Sequence, residues 1–445
     1  MQGVSDGEFD SSLSELTRLA TTLGLDVVGR ITQKRSGLAT AAVVGGGKLK
    51  ELAKLTGGTG VIPSGAKNAK SDADSDTDPD SDSDTDSDTD PDSDSDSDTE
   101  PPAKLAQVVV VDHDLTPSQA RNLEKATGAE VLDRTAVILS IFQRHARSRE
   151  AKLQVEIARL VYMAPRLRES GAGADRQRGG IGGKGAGESA VELDKRKIRD
   201  RISELREELK ALEGESQTRR QRRDQHNTTA LVGYTNAGKS SLMRALTGSD
   251  VYVADKLFAT LDTTVRALQP ETKPRILISD TVGFIKKLPH DLVASFRSTL
   301  DEARDAHLLL HVVDASDFAF RSQIEVTRDV LREMKIDESS IVVVMNKMDK
   351  VPEGEHAKLL EEFPDAIFLS AKRPDDVAML REKIIQFFEK DMLEENLFFP
   401  YAEGKRVAEA HASFRVLSET HDEQGTHLRV RAPRALLEQL KKPAH

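Results

Sequence analysis

The chain has 445 residues, with 75 acidic against 64 basic side chains and a net charge of -11. Between Ser71 and Glu100 lie 14 Asp and one Glu with no Lys or Arg, so the remainder holds 64 basic against 60 acidic residues and is mildly basic. With no Cys, disulfides, Cys-ligated zinc and thiol catalysis are excluded. Apolar runs such as Val108–Val111 and Leu308–Val313 fall far short of the ~18 residues of a membrane span. The start, MQGVSDGEFD, has neither a basic n-region nor an apolar h-region, so a soluble cytoplasmic protein of two to four domains is expected.

Residues 1–148 alternate short β-branched runs with helical patterns. Leu25–Val28, Ala41–Val44, Gln107–Val111 and Glu130–Leu132 read as strands, and Leu49–Leu55 and Ser118–Thr127 as helices. Thr116 and Pro117 suit the cap and first turn of the second helix. This is the pattern of an open α/β domain. The Asp-rich stretch, about 68–103, interrupts it. Having almost no apolar residue, it cannot offset its own ordering entropy and is expected to be a disordered insert. It suits a solvated loop without a partner, a salt-adapted segment, or a mimic of nucleic-acid charge.

Residues 149–226 carry two narrow apolar stripes: Leu153, Ile157, Leu160, then Ile198, Ile202, Leu205, Leu209, Leu212. That spacing predicts two helices packed as an antiparallel hairpin. The connection, 171–187, contains eight glycines with Arg176, Arg178 and Lys184, and Arg144–Arg223 carries 21 basic against 13 acidic residues. Two readings fit: a basic hairpin that meets a phosphate backbone, or a solvated helical spacer with a loose connection.

Residues 227–392 show a β-α-β rhythm, with compact strands expected at Thr228–Val232, Arg275–Ser279, Leu308–Asp314, Ile341–Met345 and Ala366–Leu369. A mostly parallel sheet with helices on both faces follows. Residues 393–445 read as a small C-terminal domain with a hairpin of Ser413–Ser418 and His427–Val430. The expected fold class is thus α/β, with one such domain and a helical hairpin ahead of the main sheet.

Four spaced motifs carry the chemistry. Gly233, Tyr234, Thr235, Asn236, Ala237, Gly238, Lys239 and Ser240 match G-x-x-x-x-G-K-[ST] between a strand and a helix, the context of a phosphate-binding P-loop. Backbone N–H groups would cradle phosphates at the helix N-terminus. Lys239 would meet the β- and γ-phosphates, and Ser240 would hold Mg²⁺. Asp280, Thr281, Val282 and Gly283 form a DxxG at a strand end; Asp280 reaches Mg²⁺ through water and the Gly283 N–H senses the γ-phosphate. Asn346, Lys347, Met348 and Asp349 follow another strand, where the Asp349 carboxylate can accept from guanine N1 and N2 and so reject adenine. Ser370, Ala371 and Lys372 would close over the base. Between the first two motifs, Leu257, Phe258, Ala259, Thr260 and Leu261 open a switch segment whose Thr260, Thr263 or Thr264 could ligate Mg²⁺. The residue after DxxG is Phe284, which cannot orient water, so slow basal hydrolysis stimulated by a partner is expected. An ATP-driven enzyme is disfavoured by Asn346–Asp349. A GTP-dependent switch that recruits a protein partner is the alternative.

Several stretches resemble HflX-family GTPases: AAVVGGGKLKELAKL at 41–55, VVVVDHDLTPSQARNLEKATGAEVLDR at 108–134, FQRHARSREAKLQVEIARLVYMAPRL at 142–167, GGIGGKGAGES at 179–189 and LFATLDTT at 257–264. The resemblance implies GTP/GDP binding and association with the large ribosomal subunit, to split or rescue stalled ribosomes; a monomer is expected. It implies that Thr260 is the switch magnesium ligand. It also implies that Asn236 sits where potassium-stimulated relatives carry Asn, so that K⁺ assists hydrolysis. The chain departs from the family at Ala186, Ser189 and Thr263. Gly45–Lys48 is glycine-rich but lacks P-loop spacing.

Overall fold

The computed structural model describes residues 6–34, 41–62, 105–171, 190–223, 226–249, 257–258, 260–261, 263–286, 302–390 and 392–441. The Asp-rich insert, Ala259 and nearly all of the 171–187 connection lie outside the described residues. Asp26–Asp133 form one compact unit, whereas Val4–Leu25 and Arg134–His445 belong to the other. This division cuts through the expected 1–148 domain at two points. No helix among the described residues is long and apolar enough to cross a membrane.

The first element was not anticipated. Asp6–Thr22 forms helix α1, which buries Leu16, Leu19 and Ala20, with Leu23 just beyond it. Those residues lie three to four apart, the period of one helical face.

In the unit Asp26–Asp133, helix α2 is Gly46–Thr56, strand β1 Val108–Val111, helix α3 Pro117–Thr127 and strand β2 Glu130–Asp133. Thr116 and Gln119 form a reciprocal capping box ahead of α3, as the cap signal predicts. The two strands pair in parallel, Val108 opposite Glu130. Leu49, Val109, Leu123 and Val131 close the core. Two expected strands are absent. Leu25–Val28 pairs with no strand among the described residues, and Val27 and Val28 stay exposed. Ala41–Val44 forms turns around a single bridge residue, Val43, whose φ of 68° is left-handed and lies outside the extended range of a regular strand.

In the other unit, α4 (Arg134–His145) leads into α5 (Arg149–Gly171) and α6 (Ala190–Arg223). Arg149 pairs with Glu208 and Arg201 with Glu156. Rising numbers on one helix meet falling numbers on the other, so α5 and α6 are antiparallel as the stripes predict. Leu153, Ile157 and Leu205 form their buried contact, flanked by Leu160, Ile202, Leu209 and Leu212.

The main sheet contains β3 (Asn227–Gly233), β4 (Thr264–Ala267), β5 (Ile276–Asp280), β6 (Leu308–Asp314), β7 (Ile341–Asn346) and β8 (Ile367–Phe368). Their order is β4-β5-β3-β6-β7-β8, parallel throughout except that the edge strand β4 runs antiparallel to β5. Leu231, Ile278, Leu310 and Val344 pack on one face with Leu242 and Leu246 of α7 (Lys239–Thr247) and with Leu380 and Ile384. Val313 and Met345 pack on the other with Phe320 and Ile324 of the helix Phe320–Glu333. Such a sheet aligns its strand ends along one rim, where ligands of this fold class bind.

The C-terminal part adds β9 (Met392–Pro400), β10 (Arg415–His421) and β11 (Gly425–Pro433), in the antiparallel order β10-β11-β9. The expected hairpin is β10–β11, and β9 extends it.

Candidate nucleotide-binding site

Each expected motif follows a strand end of the main sheet. β3 ends at Gly233, and the P-loop turns into α7 at Lys239. Gly238 sits at φ 98°, and a Cβ there would lie 2.3 Å from Asn346 Nδ2, so only glycine fits. The Lys239 ammonium is buried and donates to the carbonyls of Gly233 (3.0 Å) and Tyr234 (2.9 Å). Burial drives it down to about 8, against the attraction of Asp280. Approach of a polyanion reverses that penalty.

At the end of β5, Asp280 is fully buried. The Ser240 hydroxyl donates to Asp280 Oδ2 at 2.7 Å and lies 2.8 Å from Thr260 Oγ1. Three oxygen groups from the P-loop, the switch segment and the DxxG strand therefore converge. Among the described residues Asp280 Oδ1 has no hydrogen-bond partner despite burial. Burial pushes the Asp280 carboxyl up, opposed chiefly by Lys239 and by the Ser240 hydroxyl. A hard divalent cation prefers such oxygen donors and would relieve the stranded charge, so the set fits Mg²⁺. Next along the chain, Thr281 Oγ1 donates to the Leu231 carbonyl at 2.7 Å and Val282 is buried. A Cβ on Gly283 would lie 2.7 Å from Thr235 Cα and 3.1 Å from Lys239 Nζ, so the backbone there approaches the loop as closely as it can.

The base-side motifs interlock. Asn346, at the end of β7, donates from Nδ2 to the Ala237 carbonyl (2.9 Å) and accepts at Oδ1 from the Ala371 N–H (3.1 Å). It joins the P-loop to the Ser370–Lys372 turn. Lys347 donates to Asn236 O (2.8 Å) and Asp314 Oδ2 (2.7 Å), and Met348 is buried. Asp349 Oδ1 accepts from Ser370 Oγ at 2.6 Å, with Lys372 Nζ 3.8 Å from Oδ2. The Ser370 hydroxyl is the main reason that the Asp349 carboxyl lies below its ordinary range. An ionised acceptor is thereby held ready for two donors on one edge of a planar ring.

Phe284 is buried and bonded at both backbone ends, its N–H to Gly233 O (3.1 Å) and its carbonyl to Thr235 N (2.7 Å). It packs beside the loop and offers nothing to a water. A cleft open to solvent lies beside Thr235 and Asn236, lined also by Tyr234, Leu257, Lys286 and Asp314.

The structure adds a network that no motif announces. The Tyr234 phenol donates to Glu15 of α1 (2.5 Å) and accepts from the Lys286 N–H (2.7 Å). Glu15 in turn pairs with the buried Arg134 that begins α4. These partners are 219 and 119 residues apart, and no local pattern reveals them.

A loop of P-loop spacing at a helix N-terminus, a cluster of oxygen groups that fits a divalent cation and an ionised acceptor at a third strand end, all on an α/β sheet, fit a P-loop hydrolase of guanine nucleotides. Three family models match the chain. "GTP-binding GTPase N-terminal" matches residues 10–62 and 100–143, "GTP-binding GTPase Middle Region" 145–223, and "50S ribosome-binding GTPase" 228–347. The GTPase HflX of Gluconacetobacter diazotrophicus is 56% identical over 439 residues, covering 99% of this chain and 95% of the relative. That of Caldanaerobacter subterraneus subsp. tengcongensis is 37% identical, covering 98% of this chain and 91% of the relative. A GTP-binding protein of Sulfolobus solfataricus solved in complex with GDP is 23% identical, with a TM-score of 0.41, covering 84% of this chain and 94% of that one. The chain belongs to the HflX family of GTPases, and it binds and hydrolyses GTP.

Proposed function

We propose that this GTPase acts in the cytoplasm on the large ribosomal subunit, binding it in the GTP state and splitting or rescuing stalled ribosomes. The observation that carries the reading is the basic antiparallel hairpin of α5 and α6. It belongs to the same compact unit as the nucleotide site, and the sequence of its glycine-rich connection carries Arg176, Arg178 and Lys184. Lysines and arginines that neutralise RNA phosphates release counterions, which favours binding without base readout. The description of the matching central model, "50S ribosome-binding GTPase", supports the same partner.

In this reading Lys239 and the P-loop N–H groups hold the β- and γ-phosphates. Ser240, Thr260 and, through water, Asp280 would hold Mg²⁺, which would neutralise charge developing on the β- and γ-phosphate oxygens. The Gly283 N–H senses the γ-phosphate, and Asp349 and the Ser370–Lys372 turn select and cover guanine. Water attacks the γ-phosphorus, the bond to the β–γ bridging oxygen breaks, and GDP and phosphate leave. No described group takes the water-orienting place after DxxG, so basal turnover is slow and the partner speeds it by ordering the switches. Asn236 would be the residue to hold K⁺, which would supply further positive charge against the phosphates. Replacing K⁺ by Na⁺ should slow hydrolysis several-fold, and an unchanged rate would remove K⁺ from the account.

The ribosomal reading is tested by sedimentation with large subunits in the presence of a non-hydrolysable GTP analogue. Arg176→Ala, Arg178→Ala and Lys184→Ala together should weaken binding at least tenfold and flatten its salt dependence, with GTP affinity unchanged. Undiminished sedimentation of the triple variant would discard RNA contact by this loop and favour a switch that recruits a protein.

A further inference from the structure

The switch segment is gripped from outside the nucleotide site. Phe258 has φ 55°, a left-handed backbone that a bulky side chain adopts only where its surroundings impose it. Its ring is buried and meets the Phe142 ring of α4 edge-on, with centroids 4.7 Å apart at 86°. Its carbonyl lies 2.8 Å from His145 Nδ1, also on α4. A carbonyl can only accept, so that nitrogen carries the proton. The Phe258 N–H donates to Thr235 Oγ1 of the P-loop at 3.0 Å. The Leu257 N–H donates to Thr22 Oγ1, the last residue of α1, at 3.3 Å. Two residues beyond Phe258, Thr260 Oγ1 reaches the Ser240 hydroxyl.

Of these holds, three come from α1 and α4, which contribute nothing to the phosphate, metal or base sets. We propose that Phe142 and His145 are positioning residues for GTP hydrolysis: by seating Phe258 on α4 they hold the switch segment where Thr260 meets the metal. The proposal rests on the reading of Thr260 as the switch ligand. In the triphosphate state the metal draws Thr260 inward while α4 draws Phe258 the same way, so the two act together. After loss of the γ-phosphate the metal no longer holds Thr260, and the α4 grip alone has little to preserve. Its contribution therefore appears as selectivity for GTP over GDP, not as nucleotide affinity in general. By reciprocity, whatever displaces α4 loosens GTP. Only Ala146–Ser148 separate α4 from the hairpin helix α5, so a partner that grips the hairpin has a short route to the switch.

The test uses the full chain with fluorescent GDP and a fluorescent non-hydrolysable GTP analogue. His145→Ala and Phe142→Leu should weaken analogue binding by about 3- to 10-fold, the worth of one buried hydrogen bond or aromatic pair. GDP affinity should stay within about twofold, and kcat should fall with analogue affinity. His145→Asn, whose amide N–H can reach the same carbonyl, should restore most of the loss; a merely structural defect would not be rescued. Thr260→Ala is the control for the underlying reading. If it loses analogue selectivity while His145→Ala and Phe142→Leu do not, the grip by α4 is wrong and the ligand assignment stands. If Thr260→Ala changes nothing, the ligand assignment itself falls, and the proposal with it. Equal losses for GDP and analogue would also overturn it.

Discussion

Asp349→Asn is expected to lower GTP affinity by about 10²- to 10³-fold and to create affinity for xanthosine triphosphate. The carboxylate is ionised, and its Oδ1 is fixed by Ser370 Oγ at 2.6 Å. Guanine presents two donors, N1–H and the 2-amino group, to an acceptor-only side chain. An asparagine amide accepts one of them and turns its own N–H₂ toward the other, donor against donor. Xanthine replaces the 2-amino group by a carbonyl, which that N–H₂ can satisfy. Competition of GTP and xanthosine triphosphate for the wild type and Asp349→Asn measures the exchange. A variant that still prefers GTP would remove Asp349 from base recognition.

The second large effect concerns Lys239. Its ammonium is held by two loop carbonyls in a dry site and lies below its ordinary range, at about 8. Such a charge is poorly compensated before nucleotide binds and strongly compensated by phosphate afterwards. Charge-assisted bonds in a water-poor site are worth far more than at a surface. Lys239→Ala should therefore cut turnover by about 10³-fold or more and nucleotide affinity by at least tenfold. Single-turnover hydrolysis and equilibrium binding separate the two effects. Near-normal turnover would mean that the loop does not stabilise the transferring phosphoryl group.

The site was more legible in the sequence than the architecture around it. Gly233–Ser240, Asp280–Gly283, Asn346–Asp349 and Ser370–Lys372 could be placed because each is a local pattern at a strand end, and the sheet gathers strand ends without further instruction. The α5–α6 pairing was legible for a similar reason: a narrow apolar stripe on each helix needs a partner, and the next stripe along the chain supplies one. What escaped is non-local. Helix α1 carried its signal in Leu16, Leu19, Ala20 and Leu23, but nothing in that spacing says that it joins Arg134–His445 and not the unit nearest in sequence. Val27 and Val28 looked like strand residues, yet propensity without a neighbouring strand leaves them exposed. The edge strand β4, Thr264–Ala267, has too few apolar residues to stand out and exists because β5 offers it a hydrogen-bonding edge. Glu15 is unremarkable in sequence, and although Arg134, Phe142 and His145 lie in stretches that carry the family resemblance, what each of them touches is non-local and is not written there.

The proposed mechanism has the terminal phosphoryl group of GTP close the Leu257–Leu261 segment onto Ser240 and Asp280, and its loss release the segment. Amide hydrogen exchange over that segment, in magnesium buffer with a non-hydrolysable GTP analogue and then with GDP, reads this directly. Protection at least tenfold greater with the analogue is predicted. Equal exchange in the two states would mean that the segment does not respond to the nucleotide.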